Sequence, residues 1–163
     1  MNTAIMKARD IIAGYRGPKL RIMEVCGTHT HEIFRLGIRS LLPENVALIS
    51  GPGCPVCVTP VSYIDEAIFL AEERHATICT FGDLVRVPGT EKTLADARSR
   101  GARIQVVYTP LDAVTYAEEH PREEVVFLSV GFETTTPSAC LTLKRAEAQD
   151  IANFSLLTAN KTM

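Results

Sequence analysis

The chain has 163 residues, which is enough for one ordinary domain or for two small lobes. Hydrophobic residues make up 46% and charged residues 22%, a balance that is typical of a soluble globular protein and excludes a disordered or fibrous chain. The formal net charge is -2 and Lys and Arg do not cluster, so the composition argues against a nucleic-acid or anionic-membrane surface.

The apolar stretches have the length of strands, whereas a membrane helix needs about 20 apolar residues. No long apolar core follows the charged N-terminal residues Lys7, Arg9 and Asp10, so we expect no secretory signal. These features predict a cytoplasmic protein, and stable disulfides are uncommon in that compartment. The five cysteines are therefore better explained as metal ligands, redox thiols or buried small residues.

Helical and strand-like segments alternate in the first half of the chain. Residues 11–13 belong to a predicted N-terminal helix, and residues 21–25 and 46–50 to predicted strands. Between these strands, one helical face carries Phe34, Gly37, Ile38 and Leu41. A second such face precedes a predicted strand at residues 76–81 and carries Val61, Ile64, Ile68 and Ala71.

The same alternation continues in the second half, with strands predicted at residues 103–108, 124–130 and 154–159. A helix over about 91–99 is expected to end at Gly101. Three helices are predicted to begin at a Thr-Pro pair, in which the threonine caps the helix and the proline takes its first position. These pairs are Thr59-Pro60, Thr109-Pro110 and Thr136-Pro137.

This alternation, with strands that are apolar throughout, predicts an α/β fold of parallel, Rossmann-like sheets with helices on both faces. The best candidate joints between lobes are residues 43–45 and 120–122. They divide the chain 1–163 into one lobe of about 44–121 and an incomplete second lobe made of 1–43 and 122–163.

Polar motifs follow the carboxyl ends of four predicted strands, where open α/β sheets bind their ligands. The opposite strand ends carry nothing comparable, so we expect one site at one edge of the sheet. The motifs are Cys26-Gly27-Thr28-His29-Thr30-His31-Glu32, Gly51-Pro52-Gly53-Cys54-Pro55-Val56-Cys57, Gly82-Asp83 with Arg86-Val87-Pro88-Gly89, and Gly131-Phe132-Glu133-Thr134-Thr135.

Cys54 and Cys57 form a Cys-x-x-Cys pair that can close a disulfide or share a metal. A helix that begins near Pro60 is expected to lower the pKa of a thiol in this pair. Because no second such pair exists, a redox dithiol is the better interpretation and half of a structural zinc site is the alternative. Cys79 and Cys140 are expected to pack in the core.

Cys26, His29 and His31 combine a soft thiolate with two imidazoles, donors that suit iron or zinc. The alternative is a buried cysteine with one histidine capping a helix and the other in solvent. Asp83 and Glu133 are acids in glycine-containing turns. Each either orients a ligand or relays a proton, or accepts backbone hydrogen bonds from its own loop.

Five motifs together resemble the HypD family of hydrogenase formation proteins. They are MEVCGTHTHEIFR at 23–35, SGPGCPVCVTP at 50–60, FGDLVRVPG at 81–89, YTPLDA at 108–113 and GFETTTPS at 131–138. The resemblance runs from about residue 5 to the end of the chain. It implies a scaffold on which the Fe(CN)2CO group of nickel–iron hydrogenases is assembled, in complex with the small chaperone HypC and with cyanide supplied through HypE and HypF.

The resemblance also implies roles for individual residues. Cys26 would hold the iron together with a cysteine of HypC, while Cys54 and Cys57 would be the redox-active pair. His29, His31 and Asp83 match family positions near the iron. We add Thr28, in the same motif as the two histidines, as a candidate binding residue.

Two departures from the family stand out. HypD proteins are about twice as long, and their C-terminal part holds the cysteines of a 4Fe-4S cluster for which this chain has no motif. Asn160 also stands where a histidine is expected. We therefore expect a piece of a longer protein, which acts as an accessory scaffold with redox-active thiols rather than as a conventional turnover enzyme.

The residues leave two other functions open. One is a thiol–disulfide oxidoreductase that uses only Cys54 and Cys57, which leaves the Cys26 motif unexplained. The other is a structural zinc protein whose ligands are Cys26, Cys54, Cys57 and a histidine.

Overall fold

The computed structural model describes residues 3–162, in which helices and strands alternate as predicted. This confirms the α/β class and all of the expected strands. No helix in these residues is long and apolar enough to cross a membrane. The elements are α1 (Thr3–Ala13), β1 (Leu20–Glu24), α2 (Gly27–Arg35), β2 (Val46–Ser50), α3 (Val61–Glu72), β3 (Thr77–Thr80), α4 (Leu94–Ser99), β4 (Ile104–Val106), α5 (Pro110–Glu119), β5 (Val125–Phe132), α6 (Thr136–Ala148) and β6 (Phe154–Lys161), with short 3-10 helices at Ile38–Leu41 and Leu84–Arg86.

The strands form two separate sheets, and every pairing between named strands is parallel. β1 pairs with β2, and the other sheet has the strand order β4-β3-β5-β6. Parallel neighbours cannot be joined by a tight hairpin, and the helices between them supply the long crossover connections.

The chain divides into two compact units between Val58 and Thr59. The first contains α1 to β2, and the second contains α3 to β6. The predicted lobes divide the chain differently, because β2 pairs with β1 of the 1–43 segment while β5 pairs with β3 of the 44–121 segment. These long-range pairings assign 122–163 to the same sheet as β3 and β4.

The second unit has a well-formed core. All four residues of β3 are buried, as are seven of the eight residues of β5. The Phe127 ring of β5 meets the Phe81 ring edge-on, with centroids 5.5 Å apart. The apolar face predicted for α3 is confirmed for its inward residues Ile64, Ile68 and Ala71, whereas Val61 is exposed.

In the first unit, none of the side chains described, those of residues 7–58, is buried. Ile22 and Met23 are neighbours on β1 and therefore point to opposite faces, yet they are 49% and 51% exposed. The single helical face predicted for Phe34 to Leu41 is wrong. The chain leaves α2 at Arg35 and passes through Gly37 in the left-handed region, φ 61, before the 3-10 helix begins.

The predicted helix starts hold in part. Thr109 caps α5 in a capping box with Asp112, as expected. The cap of α3 is Pro60 itself and makes no side-chain capping bond, so the prediction for Thr59 is wrong. The cap of α6 is Thr135, one residue earlier than predicted, which leaves its proline in the first turn.

α4 is shorter than the predicted helix over 91–99. It begins at Leu94 because Thr93 and Asp96 form a capping box that fixes the first turn there. Its C-cap is Arg100, and Gly101 follows with φ 102, as the predicted helix end requires.

Candidate functional site

Cys26, Cys54 and Cys57 all lie in the first unit, just beyond the carboxyl ends of its two strands. Cys26 follows β1 and is the N-cap residue of α2, with extended backbone angles. Cys54 and Cys57 follow β2. Because β1 and β2 are parallel and end in register at Glu24 and Ser50, both turns leave the same edge of this sheet. We call these three cysteines the thiol site.

The Cys26 sulfur lies at the N-terminus of α2. The backbone amides of His29 and Thr28, helped by the Thr28 hydroxyl, lower the pKa of Cys26, and the charge of Glu24 opposes them. The Cys26 carbonyl oxygen accepts from the amide nitrogen and hydroxyl of Thr30 at 3.0 and 3.3 Å. This partly exposed thiol is therefore biased toward the thiolate, the form that binds metals and attacks electrophiles.

The second turn holds its two free thiols in a hydrogen-bonded arrangement. The Cys57 amide donates to the Cys54 sulfur at 3.2 Å, and the Val58 amide donates to the Cys54 carbonyl oxygen at 3.2 Å. Cys54 is partly buried and Cys57 is exposed. A reagent in solution reaches Cys57 first.

The pKa of Cys57 is raised, chiefly because its thiol hydrogen-bonds to Cys54 and is partly desolvated, and further by the charges of Cys54 and Cys26. The prediction that a thiol of this pair has a lowered pKa is therefore wrong for Cys57. Since the charge of Cys26 contributes to this shift, the three thiols belong to one electrostatic neighbourhood.

The two histidines of the Cys26 motif lie exposed on α2. The His31 side chain is 73% exposed, and its Nδ1 lies 3.5 Å from Glu32 Oε1. The backbone amide of His29 contributes to the lowered pKa of Cys26. Within residues 3–162, no three His, Cys, Asp or Glu side chains are grouped so as to hold a metal ion. The predicted zinc set of three cysteines and a histidine is not assembled.

Asp83 and Glu133 belong to the second unit, where they follow β3 and β5, neighbouring strands of one sheet. Asp83 is exposed and precedes the 3-10 helix Leu84–Arg86 without a side-chain capping bond. Glu133 is exposed beside Cys140 and Lys161 in a shallow surface depression. The single predicted edge is thus divided between two sheets, because β1 and β2 do not join the four-stranded one.

The remaining two cysteines differ from each other. Cys79 is fully buried in β3, as predicted, and burial raises the pKa of its thiol to about 12. Cys140 lies exposed on α6, so its predicted place in the core is wrong. Because Cys79 is buried in the core, it is not available as a ligand of a 4Fe-4S cluster.

Comparison with known proteins agrees with the motifs in these turns. The HypD family model, described as "Hydrogenase formation hypA family", matches residues 3–163. The chain belongs to the HypD family. It is 50% identical over 144 residues to the hydrogenase maturation factor HypD of Escherichia coli (strain K12), a match that covers 88% of this chain and 39% of that protein.

Two further HypD relatives give the same picture. The chain is 51% identical over 142 residues to the hydrogenase maturation factor HypD of Cupriavidus necator, covering 86% of this chain and 38% of that protein. It is 45% identical over 159 residues to that of Rhodobacter capsulatus, covering 98% and 42%. The chain therefore spans about two fifths of the length of the curated relatives it matches.

In this HypD chain, the motifs MEVCGTHTHEIFR and SGPGCPVCVTP supply the two turns of the thiol site. The sequence did not single out the residues that support these turns, namely Glu24, Arg39 and Ser50. The available signal was a polar residue at or next to the end of each predicted strand, Glu24 and Ser50, shortly before a cysteine motif.

Proposed function

We propose that this chain is the part of a HypD-type maturation factor that holds iron through Cys26 while the Fe(CN)2CO group of nickel–iron hydrogenases is assembled. The iron is cargo in this proposal, because it is built up on the protein and then passed on. The observation that carries the proposal is the Cys26 sulfur at the N-terminus of α2, where the His29 and Thr28 amides favour its thiolate form.

The other cysteines are less suited to bind iron first. The pKa of Cys57 is raised by Cys54, and that of Cys79 by burial, so both keep their protons at neutral pH. Cys140 is exposed on α6, in the other unit. A soft thiolate suits low-valent iron that carries cyanide and carbon monoxide.

Cys26 supplies one ligand, which leaves coordination positions for ligands from elsewhere. We infer that a cysteine of a HypC-like chaperone supplies a second thiolate and that a HypE-like protein donates cyanide. The absence of a three-residue donor group within residues 3–162 is compatible with this arrangement, since a site shared between two proteins needs no complete set on either. This machinery operates in the cytoplasm in our proposal.

Cys54 and Cys57 are the redox pair of the proposal. Their oxidation forms one sulfur–sulfur bond and releases two electrons and two protons, and reduction reverses this balance. In the longer proteins, the 4Fe-4S cluster that the family resemblance implies would be the electron partner of this pair. The Cys57 amide on the Cys54 sulfur holds the pair in a turn suited to closure.

Supporting roles follow for the other candidate residues. Thr28 and His29 favour the Cys26 thiolate because they lower its pKa, and the exposed His31 of the same helix is available to the bound group. We propose that Asp83 and Glu133 orient a ligand or relay a proton.

Anaerobic reconstitution tests this function. The chain is incubated with ferrous iron and a HypC-like chaperone, the complex is desalted, and iron per chain is measured. We expect iron in the wild-type complex and none in the complex of Cys26→Ala. The control is Cys140→Ala, which removes an exposed cysteine on α6 and should keep the iron. Equal iron in Cys26→Ala and the wild type would rule the proposal out.

The hydrogen-bonded, exposed dithiol favours a second candidate, a thiol–disulfide oxidoreductase. Such an enzyme would reduce a generic disulfide substrate without Cys26. Turnover that survives Cys26→Ala and is lost in Cys54→Ala would support this candidate. Turnover absent from the wild-type chain would remove it.

A further inference from the structure

The loop between β3 and α4, residues 81–93, lies at the carboxyl end of a strand inside the second sheet. We call it the β3–α4 loop. It contains the motif FGDLVRVPG at 81–89, of which the proposed function uses only Asp83. The loop is exposed at Arg86, Pro88 and Thr90. Since exposed loops are ordinarily the mobile parts of a protein, the contacts that hold this one decide how it presents Asp83.

Asp65 on α3 holds the far part of this loop with both oxygens of its carboxylate. The Thr90 amide donates to Asp65 Oδ1 at 2.7 Å, and the Thr90 hydroxyl donates to Asp65 Oδ2 at 2.6 Å. These two hydrogen bonds keep the pKa of Asp65 below its usual range, so the carboxylate is charged at neutral pH. Hydrogen bonds to a charged acceptor are about twice as strong as neutral ones.

The loop is shaped to receive this carboxylate. The Gly89 amide donates to the Lys92 carbonyl oxygen at 2.8 Å, which closes a tight turn around Thr90. A Cβ atom at position 89 would clash with Asp65 Oδ1 and lie 2.9 Å from the Lys92 carbonyl oxygen, so only glycine fits there without displacing them. The Lys92 ammonium pairs with Glu72, two turns further along α3. Two acids of one helix therefore hold the same turn.

Asp83, near the other end of the loop, depends on the backbone for its position. It is exposed and makes no side-chain capping bond to the 3-10 helix that it precedes. That helix is anchored by Leu84, which is fully buried, and the Val87 amide donates to the Leu84 carbonyl oxygen at 3.1 Å. Only two residues separate Val87 from Thr90. The backbone that carries Asp83 is therefore fixed at Leu84 and, further along, by the contact of Thr90 with Asp65.

We propose that Asp65 is a positioning residue that, through Thr90, holds the β3–α4 loop in one conformation and so presents Asp83 to the ligand. This inference deepens the proposed function and rests on it for the role of Asp83. A purely structural acid would stabilise the whole second unit, whereas a positioning acid acts on this loop and, through the loop, on Asp83. The order of the loop is measurable without iron, so the two claims fail separately.

Amide hydrogen exchange of the full chain, followed by nuclear magnetic resonance, tests the first step. The variants are Asp65→Ala and Asp65→Asn, whose side-chain amide can keep both contacts with Thr90 but carries no charge. The matched control is Glu66→Ala, which changes the exposed acid next to Asp65 on α3. The hydrogen-bonded amides of the loop report its order, and they are those of Leu84, Val87, Gly89 and Thr90.

Asp65→Ala should speed exchange of these loop amides roughly tenfold, the effect of losing one hydrogen bond to a charged group, while the amides of β5 keep the wild-type rate. Asp65→Asn should recover most of the protection, and Glu66→Ala should equal the wild type. If Asp65→Ala does not fold, Thr90→Val decides, since it removes the hydroxyl donor from the loop and should also speed exchange. Wild-type loop exchange in the deciding variant, or equal acceleration in β5, overturns the proposal.

A double-mutant cycle with Asp83→Asn tests the second step. The complex with a HypC-like chaperone is reconstituted with ferrous iron, and iron retention is measured against increasing chelator. We expect Asp65→Ala to weaken retention. The double variant should retain iron as well as Asp83→Asn alone, because Asp65 acts through Asp83. Fully additive losses would contradict that route and overturn the proposal.

The same measurements separate the inference from the function on which it rests. Fast loop exchange in Asp65→Ala, together with equal iron in Asp83→Asn and the wild type, leaves the hold on the loop intact and refutes the role given to Asp83. Iron that is lost in Asp83→Asn but retained at wild-type strength in Asp65→Ala refutes the positioning role alone. Absence of iron from the wild-type complex refutes the iron function, and loop exchange still decides whether Asp65 holds the loop.

Discussion

The Gly51 amide nitrogen lies 2.9 Å from the Glu24 carbonyl oxygen, and a Cβ atom at position 51 would lie 2.5 Å from that same oxygen. This oxygen belongs to the backbone, which cannot rotate away from the Cβ atom as a flexible side chain can. Any side chain at this position must therefore push apart the turns that carry Cys26 and Cys54. The close approach explains why a glycine follows β2 immediately.

Gly51→Ala is expected to lower the free energy of unfolding by about 1–3 kcal/mol, because it breaks this hydrogen bond and strains both turns. Urea denaturation followed by circular dichroism measures the loss. The matched control is Gly27→Ala, since a Cβ atom at Gly27 meets nothing within 4 Å. That variant should be neutral or slightly stabilising in the first turn of α2. Equal stability of the two variants would refute the explanation.

The pH dependence of Cys26 alkylation reports its environment. In a Cys54→Ser, Cys57→Ser background, the iodoacetamide rate at Cys26 should reach half its maximum at a lower pH than in the urea-unfolded chain, because the His29 and Thr28 amides lower the pKa. A lowered folded-state pKa means that ionised Cys26 stabilises the fold above the unfolded-state pKa. That contribution is lost as pH falls through the folded-state value. Identical midpoints for folded and unfolded chains would contradict this prediction.

In the second unit, Asn153 Nδ2 lies 3.0, 3.1 and 2.8 Å from the carbonyl oxygens of Ala117, His120 and Glu123. These contacts tie the end of α5 to the loop before β6. Asn153→Ala should lower the free energy of unfolding by about 1–3 kcal/mol, because three partly buried carbonyl groups lose the donor that Asn153 supplies. Asn153→Asp, which keeps the shape but brings a charged acceptor, should cost at least as much. Thermal unfolding of both variants checks this, and an aspartate variant as stable as the wild type would disprove it.

Much of the fold was predictable because the deciding signals are local. The runs VALIS and EVVFLSV are apolar and β-branched, and they form β2 and β5. The capping box of Thr109 and Asp112 also lies within four residues, and the prediction that Thr109 caps the helix is confirmed. Strand pairing is not local. One of the two partners of β5 is β3, in a register that pairs Val125 with Thr77, 48 residues earlier in the chain. Which segments share a lobe depends on such pairings, so the predicted lobe boundaries differ from the division in the structure.

The candidate site shows the same division. Cys26, Cys54 and Cys57 were identifiable from their spacing and from the resemblance to the HypD family. The direction of the Cys57 pKa shift could not be predicted from the sequence, because it depends on a contact between side chains, the hydrogen bond with Cys54. Arg39 was missed for a similar reason, since its contacts with Leu48 and Ser50 join segments about ten residues apart that no periodicity connects.

The central claim is that the Cys26 sulfur binds iron, and X-ray absorption at the iron edge tests it most directly. The reconstituted complex of the chain with a HypC-like chaperone is compared with its Cys26→Ser counterpart, in which an oxygen replaces the sulfur. We predict sulfur in the first shell of iron in the wild type and, in the variant, either loss of the iron or one sulfur neighbour fewer. A variant that retains iron with the wild-type sulfur shell would contradict the account.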